Sequence, residues 1–194
     1  MKYPVSQEGW PYLFILGLIT LLVLRLWLRL AILPGILLLL VIYFFRNPER
    51  EIPLDNLTLV SPADGIVEDV ERVFEEQFFR GESIRIRISV SIFDVHVNRS
   101  PIEGQVVYQY KKNVVGIEND YFRILVTQAA GYITPRAVWP VKKGDKLNKG
   151  ERFGLAKFGS CIEIFLPPDV EVVISAGDKV RGGETIVGRV LSDE

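Results

Sequence analysis

The sequence predicts a mainly β protein, a compact barrel or sandwich of related halves, preceded by a hydrophobic helical segment at the N-terminus. Three observations carry that expectation. Charge is partitioned, since residues up to Phe45 include only Lys2, Glu8, Arg25 and Arg29 as charged side chains. From Leu59 onward, Val, Ile and Phe come in short alternating runs broken by Gly, Pro and Asp, the period of strands rather than helices. Two pairs of motifs also repeat along the chain at fixed offsets.

Gly9 to Leu24 and Leu30 to Phe45 are uncharged, apolar stretches separated by Arg25, Leu26, Trp27, Leu28 and Arg29. At about 1.5 Å per residue each reaches roughly 24 Å as a helix, against a hydrocarbon core of about 30 Å. Three arrangements fit: a shallow helical hairpin, one tilted span that takes in neighbouring residues, or an interfacial anchor. Trp10, Tyr12, Trp27 and Tyr43 stand near the ends of these stretches, where amphipathic rings favour the headgroup region, and Pro34-Gly35 predicts a kink in the second. Membrane insertion is preferred to a buried core hairpin, because the rest of the chain is too small to cover so much Leu and Ile. Arg25 and Arg29 in the connection and Arg46 and Arg50 after the exit leave orientation undetermined by the positive-inside bias. The hydrophobic region runs too long for a cleavable signal peptide, and no small-residue cleavage pattern follows. Residues 1–45 therefore read as a membrane anchor. Residues 46–194 read as one domain, large enough to bury its own core.

Within that domain strands are expected at Ile84 to Val97, Gln105 to Tyr110, Cys161 to Leu166 and Glu171 to Ser175. Ser61-Pro62-x-x-Gly65 recurs as Ser100-Pro101-x-x-Gly104. Gly144-Asp145-Lys146 with Gly150-Glu151 recurs as Gly177-Asp178-Lys179 with Gly183-Glu184. Every matched residue of the second pair keeps its spacing, which suits tight corners, and Gly144, Gly150, Gly177 and Gly183 are expected at positive φ.

Composition excludes several roles. The 194 residues carry 23 Lys and Arg against 24 Asp and Glu, a formal charge of −1. That balance is unsuited to gathering nucleic acid by counterion release, so no nucleic-acid partner is expected. One Cys, Cys161, cannot form an intrachain disulfide. One His, His96, leaves no Cys/His zinc cluster within a chain, and no metal is expected.

Three residues could carry chemistry. Asp64 lies in Pro62-Ala63-Asp64-Gly65, which makes a respectable turn without any function. His96 lies in Ile92-Phe93-Asp94-Val95-His96-Val97-Asn98, where period-two alternation puts Phe93, Val95 and Val97 on one face and Asp94, His96 and Asn98 on the other. The polar face could simply meet water, although His96 is the one side chain whose ordinary pKa lies near neutrality. Ser160 follows Gly159 and precedes the strand that begins at Cys161. The order Asp64, His96, Ser160 allows a Ser-His-Asp constellation, but many triples do, and the Gly-x-Ser-x-Gly elbow is absent.

Phe44-Phe45-Arg46-Asn47-Pro48-Glu49-Arg50, Ser61-Pro62-Ala63-Asp64-Gly65, Val95-His96-Val97-Asn98-Arg99-Ser100-Pro101, Gly150-Glu151-Arg152-Phe153-Gly154 and Lys157-Phe158-Gly159-Ser160 occur in that order. In combination they resemble the short class of phosphatidylserine decarboxylase proenzymes, including archaetidylserine decarboxylases. The resemblance implies a self-processing enzyme in which His96, oriented by Asp64, takes the proton of Ser160 Oγ, and that oxygen attacks the Gly159 carbonyl. Elimination from the ester would end one chain at Gly159 and turn Ser160 into an N-terminal pyruvoyl group. Fragments 1–159 and 160–194 would then form a heterodimer, open to further oligomerisation. The implied reaction converts a serine-headgroup phospholipid, phosphatidylserine or archaetidylserine, to the ethanolamine lipid and CO2, the pyruvoyl ketone taking the electron-sink role that pyridoxal phosphate plays elsewhere. His96 is the implied proton donor to the product carbon. Arg99, Arg136 and Lys157 are possible partners for the lipid phosphate or carboxylate, on charge and position alone.

Departures are also visible. Longer members of the family carry a second His near the position of His96. Short members often have Glu-Asn-Glu-Arg where this chain has Glu118-Asn119-Asp120-Tyr121, and Cys161 replaces a residue that is often Arg, with a small buried filler as its expected role. The anchor suits a lipid substrate: at about 0.8 kcal/mol per exposed CH2, extracting a long-chain lipid into water is prohibitive. The expected location is the cell membrane with the catalytic domain on the cytoplasmic side. Two rivals differ in kind, a biotinyl- or lipoyl-like adaptor suggested by Gly177-Asp178-Lys179-Val180, and a membrane-bound serine hydrolase that uses Ser160, His96 and Asp64 in an uncut chain.

Overall fold

The computed structural model describes residues 4–27, 29–111, 113–129, 139–156 and 161–190. The chain divides into two units, Met1–Glu49 and Arg50–Glu194.

The first unit is a helical hairpin. After a 3-10 turn at Gln7–Gly9, helix α1 spans Trp10–Leu26 and helix α2 spans Ile32–Phe44, and neither helix buries a residue. The Ser6 N–H donates to the Phe45 carbonyl at 2.8 Å and the Asn47 N–H to the Pro4 carbonyl at 2.7 Å, so the two ends of the hairpin are tied together. Gln7–Leu26 is long and apolar enough to cross a membrane, whereas Ile32–Phe44 is shorter. The hydroxyl of Thr20, a polar group in an apolar helix, donates to the Leu16 carbonyl at 2.7 Å. Pro34-Gly35 does not kink α2. Both residues lie in its first turn, where proline's missing N–H costs nothing, and the Gly35 N–H still reaches the Ala31 carbonyl at 3.0 Å.

The second unit is all β, and the mainly β expectation holds. Its strands are β1 (Thr58–Val60), β2 (Gly65–Glu75), β3 (Gly81–Ser89), β4 (Val97–Arg99), β5 (Gly104–Tyr110), β6 (Val114–Glu118), β7 (Arg123–Ala129), β8 (Lys146–Leu147), β9 (Arg152–Leu155), β10 (Cys161–Leu166), β11 (Glu171–Val172), β12 (Lys179–Val180) and β13 (Ile186–Arg189). The main sheet runs β12-β2-β3-β10-β7-β6-β5-β8, with β1-β13-β11 and β4-β9 as smaller sheets, and every pairing is antiparallel.

Alternation decides which face is buried. On β10, Ile162, Ile164 and Leu166 enter the core opposite Ile88, Ile86 and Ile84 of β3. The intervening Glu163 faces outward and accepts from Arg87 Nε and Nη2 at 3.0 and 2.9 Å, a cross-strand ion pair on the solvated face.

The sequence echoes become nested contacts between related halves. The Gly144 N–H donates to the Val106 carbonyl and the Gly177 N–H to the Val67 carbonyl, both at 2.8 Å. The Gly150 N–H donates to the Ser100 carbonyl at 2.8 Å and the Gly183 N–H to the Ser61 carbonyl at 2.9 Å. The first Ser-Pro motif thus receives the second Gly-Asp-Lys turn, and the second Ser-Pro motif receives the first turn. All four glycines have positive φ, between 72° and 100°, as their spacing predicts.

Two expected strands are shorter than the sequence suggests. The run from Ile84 to Val97 breaks after Ser89, because Asp94 Oδ2 accepts the Ser91 N–H at 2.8 Å and the Asp94 N–H donates to the Ser91 carbonyl at 3.0 Å, which closes a turn. Ladder pairing from Glu171 likewise ends at Val172.

Candidate active site

Of the residues singled out in the sequence, Asp64, His96 and Arg99 are described. Gly159, Ser160, Lys157 and Arg136 lie outside the described residues.

Asp64 stands at the corner between β1 and β2. The corner is fixed by Ser61, whose Oγ donates to the Ala63 carbonyl at 2.7 Å and whose N–H donates to the Thr185 carbonyl at 2.8 Å. The Asp64 carboxylate accepts from Arg50 Nη2 at 3.0 and 2.8 Å and from the Gly182 N–H at 2.8 Å. The Arg50 side chain is 6% exposed and that of Asp64 14%, so this ion pair is largely removed from water. Glu184 Oε2 lies 3.5 Å from Arg50 Nη1 and completes an acidic cradle for the guanidinium.

Glu184 can serve there because its turn departs from the repeat. In the first copy, Glu151 Oε2 accepts from the Asn148 N–H and Nδ2 at 2.8 and 2.9 Å and so closes its own turn. In the second copy, Thr185 Oγ1 accepts the Arg181 N–H at 2.9 Å, and Glu184 turns to Arg50 instead.

His96 is 1% exposed, so it does not face water as an alternating surface strand would have it. The Ala156 N–H donates to the His96 carbonyl at 2.7 Å, and the pairing continues as Val97 opposite Leu155 and Asn98 opposite Gly154. The alternation misled because the turn at Ser91–Asp94 rotates Phe93 outward, while strand pairing begins only at Val97. Asn98 is fully buried, and its Oδ1 accepts from Trp139 Nε1 at 3.2 Å. A Cβ at position 154 would lie 2.7 Å from that same Nε1, so glycine is what lets the indole cover this strand pair.

Arg99 joins the two halves of the site. Its N–H donates to the Pro62 carbonyl at 2.9 Å, linking β4 to the Asp64 corner, and Nη1 donates to the Gly150 carbonyl at 3.0 Å. Burial, and then the neighbouring Arg50 charge, push its pKa below the ordinary guanidinium value, opposed by Asp64. Among the described residues no hydrogen bond joins Asp64 to His96. Arg50, which holds Asp64, and Glu184, which flanks Arg50, were missed by the sequence reading, although Arg50 ends the Phe44–Arg50 segment that carried the resemblance.

Cys161 heads β10, opposite Ser89 on one side and Ala129 on the other. It is half-buried rather than a core filler, because it takes the outward phase of the strand. Its Sγ lies 3.7 Å from both carboxylate oxygens of Glu68, and burial, reinforced by that carboxylate, raises the thiol pKa. Ala156 and Cys161 are the described residues that precede and follow 157–160 in the chain. One is tied to His96, and the other is paired with the end of β3.

A model of the phosphatidylserine decarboxylase family matches residues 37–113 and 105–188. The chain belongs to this family. It is therefore a carboxy-lyase of phospholipid metabolism. Similar relatives include the phosphatidylserine decarboxylase proenzymes of Carboxydothermus hydrogenoformans, 44% identical over 98% of this chain and 99% of the relative, and Symbiobacterium thermophilum, 41% identical over 98% of each. That of Desulfotalea psychrophila is 37% identical, again over 98% of each.

Proposed function

We propose that the chain is a zymogen that cleaves itself between Gly159 and Ser160 and then decarboxylates a serine-headgroup phospholipid. The chain neighbours of residues 157–160 carry this reading, since the Ala156 N–H donates to the backbone carbonyl of buried His96 while Cys161 starts a central strand. His96 removes the proton from Ser160 Oγ, which attacks the Gly159 carbonyl carbon. The C–N bond breaks, an ester forms and the Ser160 amine is freed. Loss of the Ser160 α-proton expels the Gly159 carboxylate, and hydrolysis of the remaining enamine releases ammonia and leaves a pyruvoyl terminus. Asp64 is the orienting carboxylate, and the clamp by Arg50 and Gly182 fixes where it sits.

A position directly ahead of a strand held on both edges suits a covalently resident group. When formed, the pyruvoyl ketone supplies the electron sink for loss of CO2. The rest falls to the chain's own groups: His96, shielded from water, holds a proton for the substrate carbon, and Arg99, Arg136 and Lys157 are the cations for phosphate and carboxylate. Both phosphatidylserine and archaetidylserine carry the required headgroup. Residues 1–45 anchor the enzyme to the cell membrane, with residues 46–194 on the cytoplasmic side.

Intact mass spectrometry tests the reading. The wild type should give fragments 1–159 and 160–194, the latter with a blocked, carbonyl-bearing terminus, and Ser160→Ala should stay whole. An uncut wild-type chain that releases CO2 from serine lipids would refute it, as would an uncut chain labelled at Ser160 by a phosphonate. Incubating the cleaved enzyme with ester- and ether-linked serine lipids and measuring CO2 separates the two substrates. Protease protection in oriented membrane vesicles tests the orientation.

A further inference from the structure

We propose that the Ser91–Asp94 turn, with Ile66 beside it, is a bilayer-contacting edge of the β unit that seats Ile92 and Phe93 among the acyl chains of an anionic phospholipid surface. The inference rests on the decarboxylase reading for its substrate and on separate observations for its place. Ile66, Ile92 and Phe93 are 52%, 52% and 67% exposed, bulky apolar groups held in water on a unit whose other large Ile side chains are mostly in its core. The turn presents them by construction. The Asp94 carboxylate is turned back onto the Ser91 N–H, which holds the tip in shape and directs the one acidic group of the turn to a backbone donor.

The position of this edge is what gives it a use. Ile66 pairs with Ser89, and Ser89 pairs on its other side with Cys161, the residue that follows the proposed pyruvoyl position. Two residues beyond Asp94, which ends the turn, the chain reaches buried His96. The apolar edge therefore flanks the place where the headgroup must arrive. Lys179 is exposed and opposite Ile66 on β12, and Arg181, two residues on, has a side chain that is 69% exposed and lies 3.6 Å from Glu184. Apolar tips with cations behind them match an anionic bilayer, acyl chains below and phosphates above. A substrate bound there presents its headgroup while its chains stay in the membrane.

Full-length Ile92→Ser/Phe93→Ser is the first test. Self-cleavage by intact mass and turnover of monodisperse short-chain phosphatidylserine should stay within about twofold of wild type, while kcat/KM on phosphatidylserine-containing vesicles should fall about tenfold or more, the scale of losing two apolar side chains from an interface. Equal loss on both substrates, or loss on neither, would overturn the proposal. The second test needs no turnover and survives failure of the decarboxylase reading. In a full-length Trp10→Phe/Trp27→Phe background, Phe93→Trp should be quenched by brominated phosphatidylcholine in phosphatidylserine-containing vesicles, with buried Trp139 as the unquenched control. No quenching would overturn the proposal. So would concentration-dependent self-association that protects the reporter, because it would assign this edge to a second copy of the chain.

Discussion

Replacing Arg50 by alanine removes two contacts to Asp64 and one to Glu184, and leaves the Asp64 carboxylate with the Gly182 N–H alone. Losing one partner of a buried ion pair costs about 3–5 kcal/mol, because the remaining charge stays desolvated. With side chains 6% and 14% exposed the pair is near that limit, and the retained Gly182 bond places the expected loss at the lower end, about 3 kcal/mol. The contact with Glu184 is longer, and its carboxylate is 22% exposed, which adds about 0.5 kcal/mol. Arg50→Lys keeps the charge without the fork and should lose about half as much. Urea unfolding in a Ser160→Ala background keeps the chain whole, and Trp139 fluorescence, with Trp10 and Trp27 replaced by Phe, reports the β unit alone. An Arg50→Ala/Asp64→Ala double-mutant cycle should return a coupling of about 2 kcal/mol. A single-mutant loss below about 1 kcal/mol with no coupling would refute the buried-clamp argument and return Arg50 to the class of surface cations.

Three further outcomes follow from other contacts. Glu75 accepts the N–H groups of Gln77, Phe78 and Phe79 at 2.9, 2.7 and 2.6 Å, so Glu75→Ala should cost about 2 kcal/mol in urea unfolding by orphaning the donors of that turn. Gly154→Ala collides with the Trp139 indole, and should lower the melting temperature and alter Trp139 emission, whereas Gly177→Ala, which meets no neighbouring atom, should disturb only its own turn. The raised Cys161 pKa should make alkylation at neutral pH slower than in the unfolded chain. Because the unfolded thiol loses its proton first as pH rises, this group's contribution to stability is intact below the ordinary thiol pKa and declines above it. Melting curves from neutral to alkaline pH should show a decline that is smaller in Cys161→Ala.

Local periodicity reads out local structure and fails where partners are remote. Cys161 to Leu166 is a strand of the expected bounds, because side-chain alternation there coincides with ladder pairing on both edges. The paired Gly-Asp-Lys turns were legible as repeats, since each closes through its own aspartate: Asp145 accepts the Lys142 N–H and Asp178 the Ser175 N–H, both at 2.8 Å. His96 was found, but its burial was not, because the Ser91–Asp94 turn, which ends two residues earlier, resets the phase of the alternation. Arg50 was invisible as a functional residue, because no local pattern pairs it with Asp64, 14 residues on, and Glu184, 134 residues on, has a counterpart in Glu151 that merely closes a turn. Glu118-Asn119-Asp120-Tyr121 is a hairpin connection between β6 and β7. Asn119 Oδ1 accepts the Tyr121 and Phe122 N–H groups there, which turn geometry requires whatever stands at position 121.

The placement of β10 determines what scission just ahead of it does to the molecule. That strand is threaded between β3 and β7, and of the strands beyond it β12 pairs with β2 and β13 with β1, while β11 pairs with β13. Backbone bonds from β3, β7, β2 and β1 thus hold β10, β12 and β13. The proposed cleavage would sever covalent continuity there without releasing the tail, which would stay on as a structural stave held by those pairings.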